Sequence, residues 1–166
     1  RATNLLQICQ SQNLEQTLSS GGSAANTTNY LSEFNLDCGF IGNVNSGFYG
    51  TKFTSDLKKQ KIKFYNCKAQ TKDSSAKCII FVTPDGERTM CTSLGCAGLI
   101  ELDNINKESY LNSELIYIEG YLWDQQATIE NLQRLIMKAK TAKCQIAFSL
   151  SDSFCVQRHH ESFKAL

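Results

Sequence analysis

One pattern in the last third of the chain constrains the fold more than any other. An apolar, β-branched run, ELIYIEG (residues 114–120), is followed by a polar–apolar stretch and then by a second apolar run, CQIAFSL (residues 144–150). Between them, residues 124–142 repeat apolar side chains at helical spacing, and those on one face are Ile129, Leu132, Leu135, Ile136 and Ala139. A strand, a helix and a strand in this order form a βαβ unit with parallel strands and a right-handed crossover. The pattern therefore predicts an α/β protein.

The predicted unit places two polar loops at one edge of its sheet. EGYLWD (residues 119–124) and SDSF (residues 151–154) follow the carboxyl ends of the two strands. In open α/β sheets, ligands bind at that edge. The glycine-rich stretch SSGGSAANTTNY (residues 19–30) opens another predicted helix, and we expect its start to point toward the same edge.

The middle of the chain predicts shorter elements. Pro-Asp-Gly in TPDGER joins two extended runs and is typical of a hairpin turn, because proline and glycine supply the two backbone angles that the turn needs. Approximately residues 62–92 form a small β section that is expected to cover the sheet edge as a lid. The predicted elements are helices over 23–34 and 49–60, the latter with Thr51 as its cap, and strands over 38–44, 62–67, 76–82 and 88–93.

Composition excludes some classes of protein. The chain has 42% hydrophobic residues and a formal net charge of +1, with scattered lysines, whereas nucleic-acid binders show a basic patch or stripe. No apolar run approaches the length of a membrane span. We therefore expect neither a nucleic acid nor a membrane as a partner.

The eight cysteines have irregular spacing and no CxxC pair. Several lie in apolar runs, which favours reduced thiols used as small core residues in a cytoplasmic protein. Cys155, His159 and His160 could form a zinc site, but they lack the paired-ligand spacing of structural zinc sites. An ordinary helix is the favoured interpretation there, and no metal site is predicted.

The stretch GGSAAN (residues 21–26) matches neither GxxxxGK[ST] nor GxGxxG. Two glycines before a helix expose backbone N–H groups and allow a ligand to approach closely. Ser23 and Asn26 add donors and acceptors that suit a polyhydroxylated ligand. A glycine-rich helix entry packed against a neighbouring helix explains the same residues, and spacing alone leaves both interpretations open.

SGGSAANT resembles the sugar-contacting motif of the ribokinase-like (phosphofructokinase B) carbohydrate kinases. The resemblance continues through FIGNV, GTKFTSDLKKQKI and TPDGERTMCTSLGCA, while YIEGYLWD and FSLSDSFCVQRHHESF are similar to bacterial adenosine-kinase-like sugar kinases. Nearly every segment from Leu18 to Leu166 has a counterpart in the same order. The resemblance implies one partial domain over residues 1–166, with a ribokinase-like three-layer α/β/α sheet and a small β-sheet lid.

The resemblance also implies an activity. Kinases of this family transfer the γ-phosphoryl group of ATP, with Mg²⁺, to a CH₂OH group of a nucleoside or sugar, and their lids can pair two subunits into a homodimer. It implies that Arg88 lies near the transferred phosphate, where a guanidinium stabilises charge. The acceptor substrate would be bound by Gly21, Gly22, Ser23, Asn26, Met90, Tyr121 and Leu122.

Taken without the resemblance, some of these residues have simpler explanations. Arg88 is then an exposed hairpin arginine, and Tyr121 and Leu122 are ordinary packing at a strand end. Asp124 and Asp152 stand at strand ends as alternative bases, and Cys155 with His159 is an alternative nucleophile pair four residues apart on a helix.

Two departures from the family pattern are visible. Asn45, Ser46 and Gly47 stand where the family carries an acidic residue. The family's first strand with its substrate-binding aspartate, its magnesium motif, its catalytic aspartate and its ATP pocket have no counterpart. We therefore expect the chain to be the N-terminal-to-middle part of a longer kinase and to be inactive alone. The alternative is a non-catalytic module that binds a nucleoside or sugar, or that interacts through its lid.

Overall fold

The computed structural model describes residues 2–12, 15–67 and 72–166. Its helices are α1 (Ala2–Ser11), α2 (Ser23–Glu33), α3 (Phe48–Lys59), α4 (Glu108–Leu111), α5 (Gln126–Thr141) and α6 (Ser153–Lys164). Its strands are β1 (Gly39–Gly42), β2 (Lys63–Asn66), β3 (Lys77–Val82), β4 (Arg88–Ser93), β5 (Leu115–Glu119) and β6 (Gln145–Ser149). In the described ranges the strands form three pairs, β1 with β2, β3 with β4 and β5 with β6.

The βαβ pattern in the last third of the chain is confirmed. β5 and β6 are parallel, with register pairs from Leu115 with Gln145 to Glu119 with Ser149. Helix α5 connects them and buries its apolar face, because that face covers the parallel strands. Its buried residues are Thr128, Leu132, Leu135, Ile136 and Ala139. We call β5, α5 and β6 the C-terminal unit.

A second parallel unit precedes it in the chain. β1 and β2 pair in parallel from Gly39 with Lys63 to Gly42 with Asn66, and α3 connects them. We call β1, α3 and β2 the N-terminal unit. The section 62–92, which was predicted to form a lid, includes β2. Because β2 pairs with β1, only β3 and β4 of that section form an antiparallel pair among the described residues. Residues 68–71 of the section lie outside the described residues, and a lid role stays a prediction.

The start of α3 differs from the prediction. Thr51 is not its cap, because the helix begins at Phe48 with Gly47 in the N-cap position. The Oδ1 atom of Asn45 accepts a hydrogen bond from the Gly47 N–H over 2.8 Å, and this local turn starts the helix earlier. Asn45 thus supports the loop in which the family carries an acidic residue.

The hairpin of β3 and β4 has the predicted turn. Strand pairing runs from Lys77 with Ser93 to Val82 with Arg88. At the turn, the Gly86 N–H donates to the Thr83 carbonyl over 2.8 Å, and Gly86 has a φ of 85°, which favours glycine.

The main core lies around the C-terminal unit. Trp123, which is 1% exposed, packs edge to face against Phe148 and Phe163, with ring centroids 5.1 Å and 5.7 Å away. Its indole N–H donates to the Ser162 hydroxyl over 2.9 Å, so the polar end of the ring is satisfied.

In the described part of the chain, none of the helices combines the length and the apolar composition that a membrane span requires.

The cysteines carry free thiols, and most of them are core residues. Cys9, Cys67, Cys96, Cys144 and Cys155 are buried. Burial raises the pKa of the Cys67 thiol to about 11. Cys78 differs from the expectation and is exposed, because alternate side chains of β3 point outward.

Candidate functional site

The turn before α2 is open to solvent and needs a glycine at one position. Gly22 has a φ of 111°, a conformation that L side chains rarely adopt. A Cβ atom added at Gly21 or Gly22 would meet no described atom within 4 Å. The described residues therefore give no support to close helix packing as the reason for the two glycines, and the surface above the turn can accept a ligand.

The first turn of α2 also has free hydrogen-bonding groups. No side chain caps the helix at Gly22, and the first backbone bond joins the Asn26 N–H to the Gly22 carbonyl over 2.8 Å. Ser23 and Asn26 are exposed, and within the described chain their side chains form no hydrogen bond. Backbone N–H groups, a hydroxyl and an amide are thus available together at the positive end of a helix dipole.

Gly21 and Asn26 share a cleft of about 350 Å³ with helix α3. On its far wall the Asp56 carboxylate accepts hydrogen bonds from Lys52 Nζ at 2.8 Å, Ser20 Oγ at 2.7 Å and Lys59 Nζ at 3.2 Å. The bond from Lys52 contributes most, followed by those from Ser20 and Lys59, and together they hold the pKa of the Asp56 carboxyl well below its usual range. Neither Ser20 nor Asp56 carries a pattern in the sequence that identifies it as part of this cleft.

Tyr121 and Leu122 lie in a 3₁₀ turn, Gly120–Asp124, at the carboxyl end of β5. The Tyr121 N–H donates to the Ser151 hydroxyl over 3.1 Å, which joins the loops after β5 and β6. Burial, and then the nearby Asp152 carboxylate, raise the pKa of the Tyr121 phenol. Tyr121 is partly exposed at this edge, whereas Leu122 packs against the main core, as expected for ordinary packing.

Glu119, the last residue of β5, is a further polar group at this edge that sequence analysis missed. It is only 8% exposed, and its Oε1 atom accepts a hydrogen bond from the Tyr117 hydroxyl over 3.2 Å. No lysine, arginine or histidine of the described chain pairs with it. An acidic residue inside the apolar run LIYIEG was the signal that could have identified it.

Arg88 and Met90 lie on one face of the hairpin strand β4. Both are exposed, and the residues opposite them on β3, Val82 and Ile80, are exposed too. Within the described chain the Arg88 guanidinium forms no hydrogen bond or ion pair. Arg88 and Met90 thus lie together, but no hydrogen bond between described residues joins them to the turn before α2.

The profile of the "pfkB family carbohydrate kinase" matches residues 5–162. The chain belongs to the pfkB family of carbohydrate kinases. No curated protein sequence matches it.

Solved structures agree with this family. The adenosine kinase of Sinorhizobium meliloti is 30% identical, with a TM-score of 0.84 over 98% of this chain and 50% of that protein. A probable sugar kinase from Rhizobium etli is 30% identical, with a TM-score of 0.83 over 96% of this chain and 48% of that protein. An adenosine kinase from Schistosoma mansoni, in complex with adenosine, is 19% identical, with a TM-score of 0.79 over 97% of this chain and 47% of that protein, and it shows the fold alone. The ribokinase-like α/β fold is confirmed, and the chain spans about half the length of these structures.

Within this pfkB family chain, the alternative bases already have structural partners. Asp152 caps α6, where its Oδ1 atom accepts from the Cys155 N–H over 2.7 Å. Asp124 accepts two hydrogen bonds from Arg158, at 3.1 Å and 3.2 Å. Its Oδ1 atom is also 2.7 Å from His159 Nε2, and this contact contributes most to the lowered pKa of Asp124.

The alternative nucleophile and zinc interpretations are not supported either. Cys155 is fully buried, and burial raises the pKa of its thiol, so the unreactive neutral form is favoured. His159 contacts Asp124, while His160 pairs with Glu161. The part of the chain that the structure describes contains no group of three or more His, Cys, Asp or Glu side chains that could hold a metal ion.

Proposed function

We propose that the protein is an ATP-dependent phosphotransferase that acts on a CH₂OH group of a nucleoside or sugar, with these 166 residues supplying the acceptor-binding wall and the lid. The observation that carries the proposal is the uncapped N-terminus of α2, reached through two glycines that no described side chain covers. Its membership of the pfkB family supports the same conclusion.

The acceptor's hydroxyl groups would bind at this turn. The absence of a side chain at Gly21 and Gly22 lets a sugar ring approach the backbone. The Ser23 hydroxyl and the Asn26 amide both donate and accept hydrogen bonds, as a diol requires. Because these groups have no partner in the described chain, binding breaks no internal hydrogen bond.

Two exposed apolar side chains favour an acceptor that carries a base. Met90 on the hairpin and Tyr121 after β5 present a thioether and an aromatic ring to solvent. Such groups pack well against the flat face of a base. We therefore favour a nucleoside such as adenosine over a simple sugar.

Arg88 would act on the transferred phosphoryl group. ATP with Mg²⁺ supplies that group, and catalysis of its transfer depends mainly on positioning and charge stabilisation. The unpaired Arg88 guanidinium can provide such charge. As the family resemblance implies, we propose that the metal and most of the ATP are bound by parts of the kinase outside these 166 residues.

Two further expectations concern the oligomeric state of the enzyme and its location in the cell. The exposed hairpin face with Ile80, Val82 and Met90 supports a homodimer formed through the lid. The free thiols support a reducing, cytoplasmic location. Both stay predictions.

A comparison of two proteins tests the function. The full-length protein, incubated with Mg²⁺, ATP and a panel of nucleosides and sugars, should phosphorylate at least one nucleoside. The 166-residue chain should give no product above a protein-free control. Turnover by the short chain would return Asp124 and Asp152 to consideration as bases. Binding of a nucleoside by the full-length protein without turnover would instead favour the non-catalytic module.

Two substitutions in the full-length protein separate acceptor binding from phosphoryl transfer. Asn26→Ala should lower kcat/KM roughly ten- to a hundredfold, because a substrate hydroxyl loses its hydrogen-bond partner. This corresponds to a loss of about 1–3 kcal/mol in transition-state stabilisation. Arg88→Ala should lower kcat roughly a hundredfold with a smaller rise in KM, because charge develops mainly in the transition state. Steady-state kinetics measure both effects, with melting temperatures as the control. Early melting of Asn26→Ala with normal acceptor binding would show that the turn serves packing.

A further inference from the structure

In the part of the chain that the structure describes, one side-chain hydrogen bond joins the turn before α2 to another segment. Across residues 15–22, no backbone group bonds to another described segment except the Gly22 carbonyl, which accepts from α2 itself. The Ser20 hydroxyl donates to Asp56 Oδ2 over 2.7 Å, across 36 positions of sequence. Among described residues, this is the only hydrogen bond that joins the turn to α3.

The acceptor of this bond is itself fixed on α3. Lys52 Nζ lies 2.8 Å from Asp56 Oδ2, and Lys59 Nζ lies 3.2 Å from Oδ1. These lysines are spaced four and three residues from Asp56 on the helix, where side chains meet without distortion. A charged acceptor also strengthens the bond from Ser20. Asp56 is thus a charged acceptor that two lysines of its own helix hold in place.

Without the bond, the turn has room to move. Leu18 and Gly21 lie on one side of the cleft, and Phe53 of α3 lies on the other. Two consecutive glycines have more backbone freedom than any other pair of residues. The Ser20 bond therefore restricts the backbone conformations of the two glycines, which would otherwise be the most flexible part of the turn.

We propose that Ser20 and Asp56 are positioning residues of the acceptor site. They hold Gly21 and Gly22 in the geometry that lets the start of α2 and Asn26 meet the acceptor together. This inference rests on the proposed function. A turn that is ordered before binding lowers the entropy cost of binding, so loss of the bond raises KM for the acceptor and leaves kcat nearly unchanged.

Kinetics of the full-length protein test the bond. Ser20→Ala should raise the acceptor KM roughly three- to tenfold, with kcat within about twofold of the wild type. Ser20→Thr keeps the hydroxyl and should restore the wild-type KM. The matched control is Ser32→Ala, because the Ser32 hydroxyl joins the other end of α2 to the Gln60 carbonyl after α3. Its KM should not change.

A double-mutant cycle tests whether the two residues act through one bond. Ser20→Ala combined with Asp56→Ala should raise KM no further than the larger single effect, because residues in one interaction are not additive. Lys59→Ala removes one of the two lysines that fix Asp56 but keeps Oδ2 and its bond from Ser20, so it should raise KM less than Asp56→Ala does. An unchanged KM in Ser20→Ala, additive effects in the cycle, or an equal rise in Ser32→Ala would each overturn the proposal.

A measurement without substrate separates this proposal from the proposed function. In protein labelled with ¹⁵N-glycine, the order parameters of Gly21 and Gly22 should fall from the rigid range near 0.85 to below about 0.6 in Ser20→Ala, and stay high in Ser32→Ala. If order is lost while no acceptor is phosphorylated, the bond holds the turn and the proposed function fails. If order is unchanged, the positioning role fails whatever the turnover.

Discussion

The chain contains two units of the same connectivity that differ in burial. α5 of the C-terminal unit buries five residues, whereas α3 of the N-terminal unit buries Gly50 and Leu57. Each unit packs with an aromatic trio, and the C-terminal trio consists of Trp123 in the turn after β5 and the half-buried Phe148 of β6 and Phe163 of α6. Trp123 of the C-terminal trio is fully buried, while every ring of the N-terminal trio, Phe40, Phe53 and Phe64, is partly exposed. One strand–helix–strand unit thus forms the core, and the other packs at its periphery.

The two units also differ at the carboxyl ends of their strands. In the N-terminal unit, the Asn66 side chain donates to the Val44 carbonyl and accepts from the Val44 N–H, at 3.2 Å and 3.3 Å. The buried Asn43 amide donates to the Cys96 carbonyl over 3.1 Å. In the C-terminal unit, the Glu119 carboxylate accepts from the Tyr117 hydroxyl, and the Tyr121 N–H donates to the Ser151 hydroxyl. Amides thus tie the loops together at the N-terminal edge, where a cavity of about 620 Å³ opens beside Asn43, Asn45 and Asn66, whereas a carboxylate and a phenol lie at the C-terminal edge.

The largest expected contrast is between the aromatic trios. Trp123→Ala should lower the free energy of unfolding by about 3–5 kcal/mol, because a fully buried ring and its packing are lost. Phe53→Ala should cost only about 1–2 kcal/mol, since its ring is already partly exposed. Urea unfolding of both variants measures the difference. Equal losses would show that the N-terminal unit is as central to stability as the C-terminal one.

A smaller contrast is expected between two glycines. A Cβ atom at Gly50 would lie 1.8 Å from the Asn45 carbonyl oxygen. One at Gly120 would have longer contacts, at 2.9 Å to the end of the Phe163 ring and at 3.1 Å and 3.2 Å to the Leu150 and Ser149 carbonyl oxygens. The overlap at Gly50 is therefore the more severe one. Gly50→Ala should therefore destabilise the protein by about 2–3 kcal/mol and Gly120→Ala by about 1 kcal/mol. Melting temperatures rank the two, and the reverse order would contradict this packing.

The smallest contrast concerns ion pairs. Asp124→Asn removes the carboxylate that joins the turn after β5 to Arg158 and His159 of α6. Allowing for solvent screening, the cost at pH 7 should be about 0.5–1 kcal/mol. In the N-terminal unit, Lys63 pairs with Asp37 at the surface, and Lys63→Met should leave the melting temperature unchanged.

The Asp124 effect should depend on pH. Its pKa is lowered in the folded protein, so its stabilisation is present above the unfolded value near about 3.9 and is lost as the pH falls through the folded pKa. Melting curves of the wild type and Asp124→Asn should therefore converge below about pH 4. A gap that persists at lower pH would mean that shape, not charge, is what Asp124 contributes.

The C-terminal unit could be predicted almost completely from the sequence, because its two apolar runs and its helical face are long and regular. For the N-terminal unit, the elements were predicted but their pairing was not. The pattern of β2 marks a short strand, yet periodicity does not identify the strand beside it. Thr51 failed as a cap because Asn45 forms a turn that starts the helix earlier.

The candidate site shows the same limit. The sequence predicted a glycine-rich helix entry at Gly21 and Gly22, because glycine allows backbone angles that other residues avoid, but spacing alone left a packing role and a ligand-binding role both open. The bond from Ser20 to Asp56 could not, since a serine and an aspartate far apart in sequence carry no spacing signal. Only the tertiary structure, which places the turn before α2 and helix α3 around one cleft, brings them together.

The burial of Cys67 has a consequence for how the chain reacts with thiol reagents. Only a thiolate that a reagent can reach is modified, and Cys67, at the exit of β2, is fully enclosed with a pKa of about 11. Cys78 on the hairpin is open to solvent. A reagent should therefore label Cys78 at once and Cys67 only when the core around it opens. The delay between labelling of Cys78 and labelling of Cys67 would therefore report how often the core opens, and the measurement needs no probe added to the native sequence.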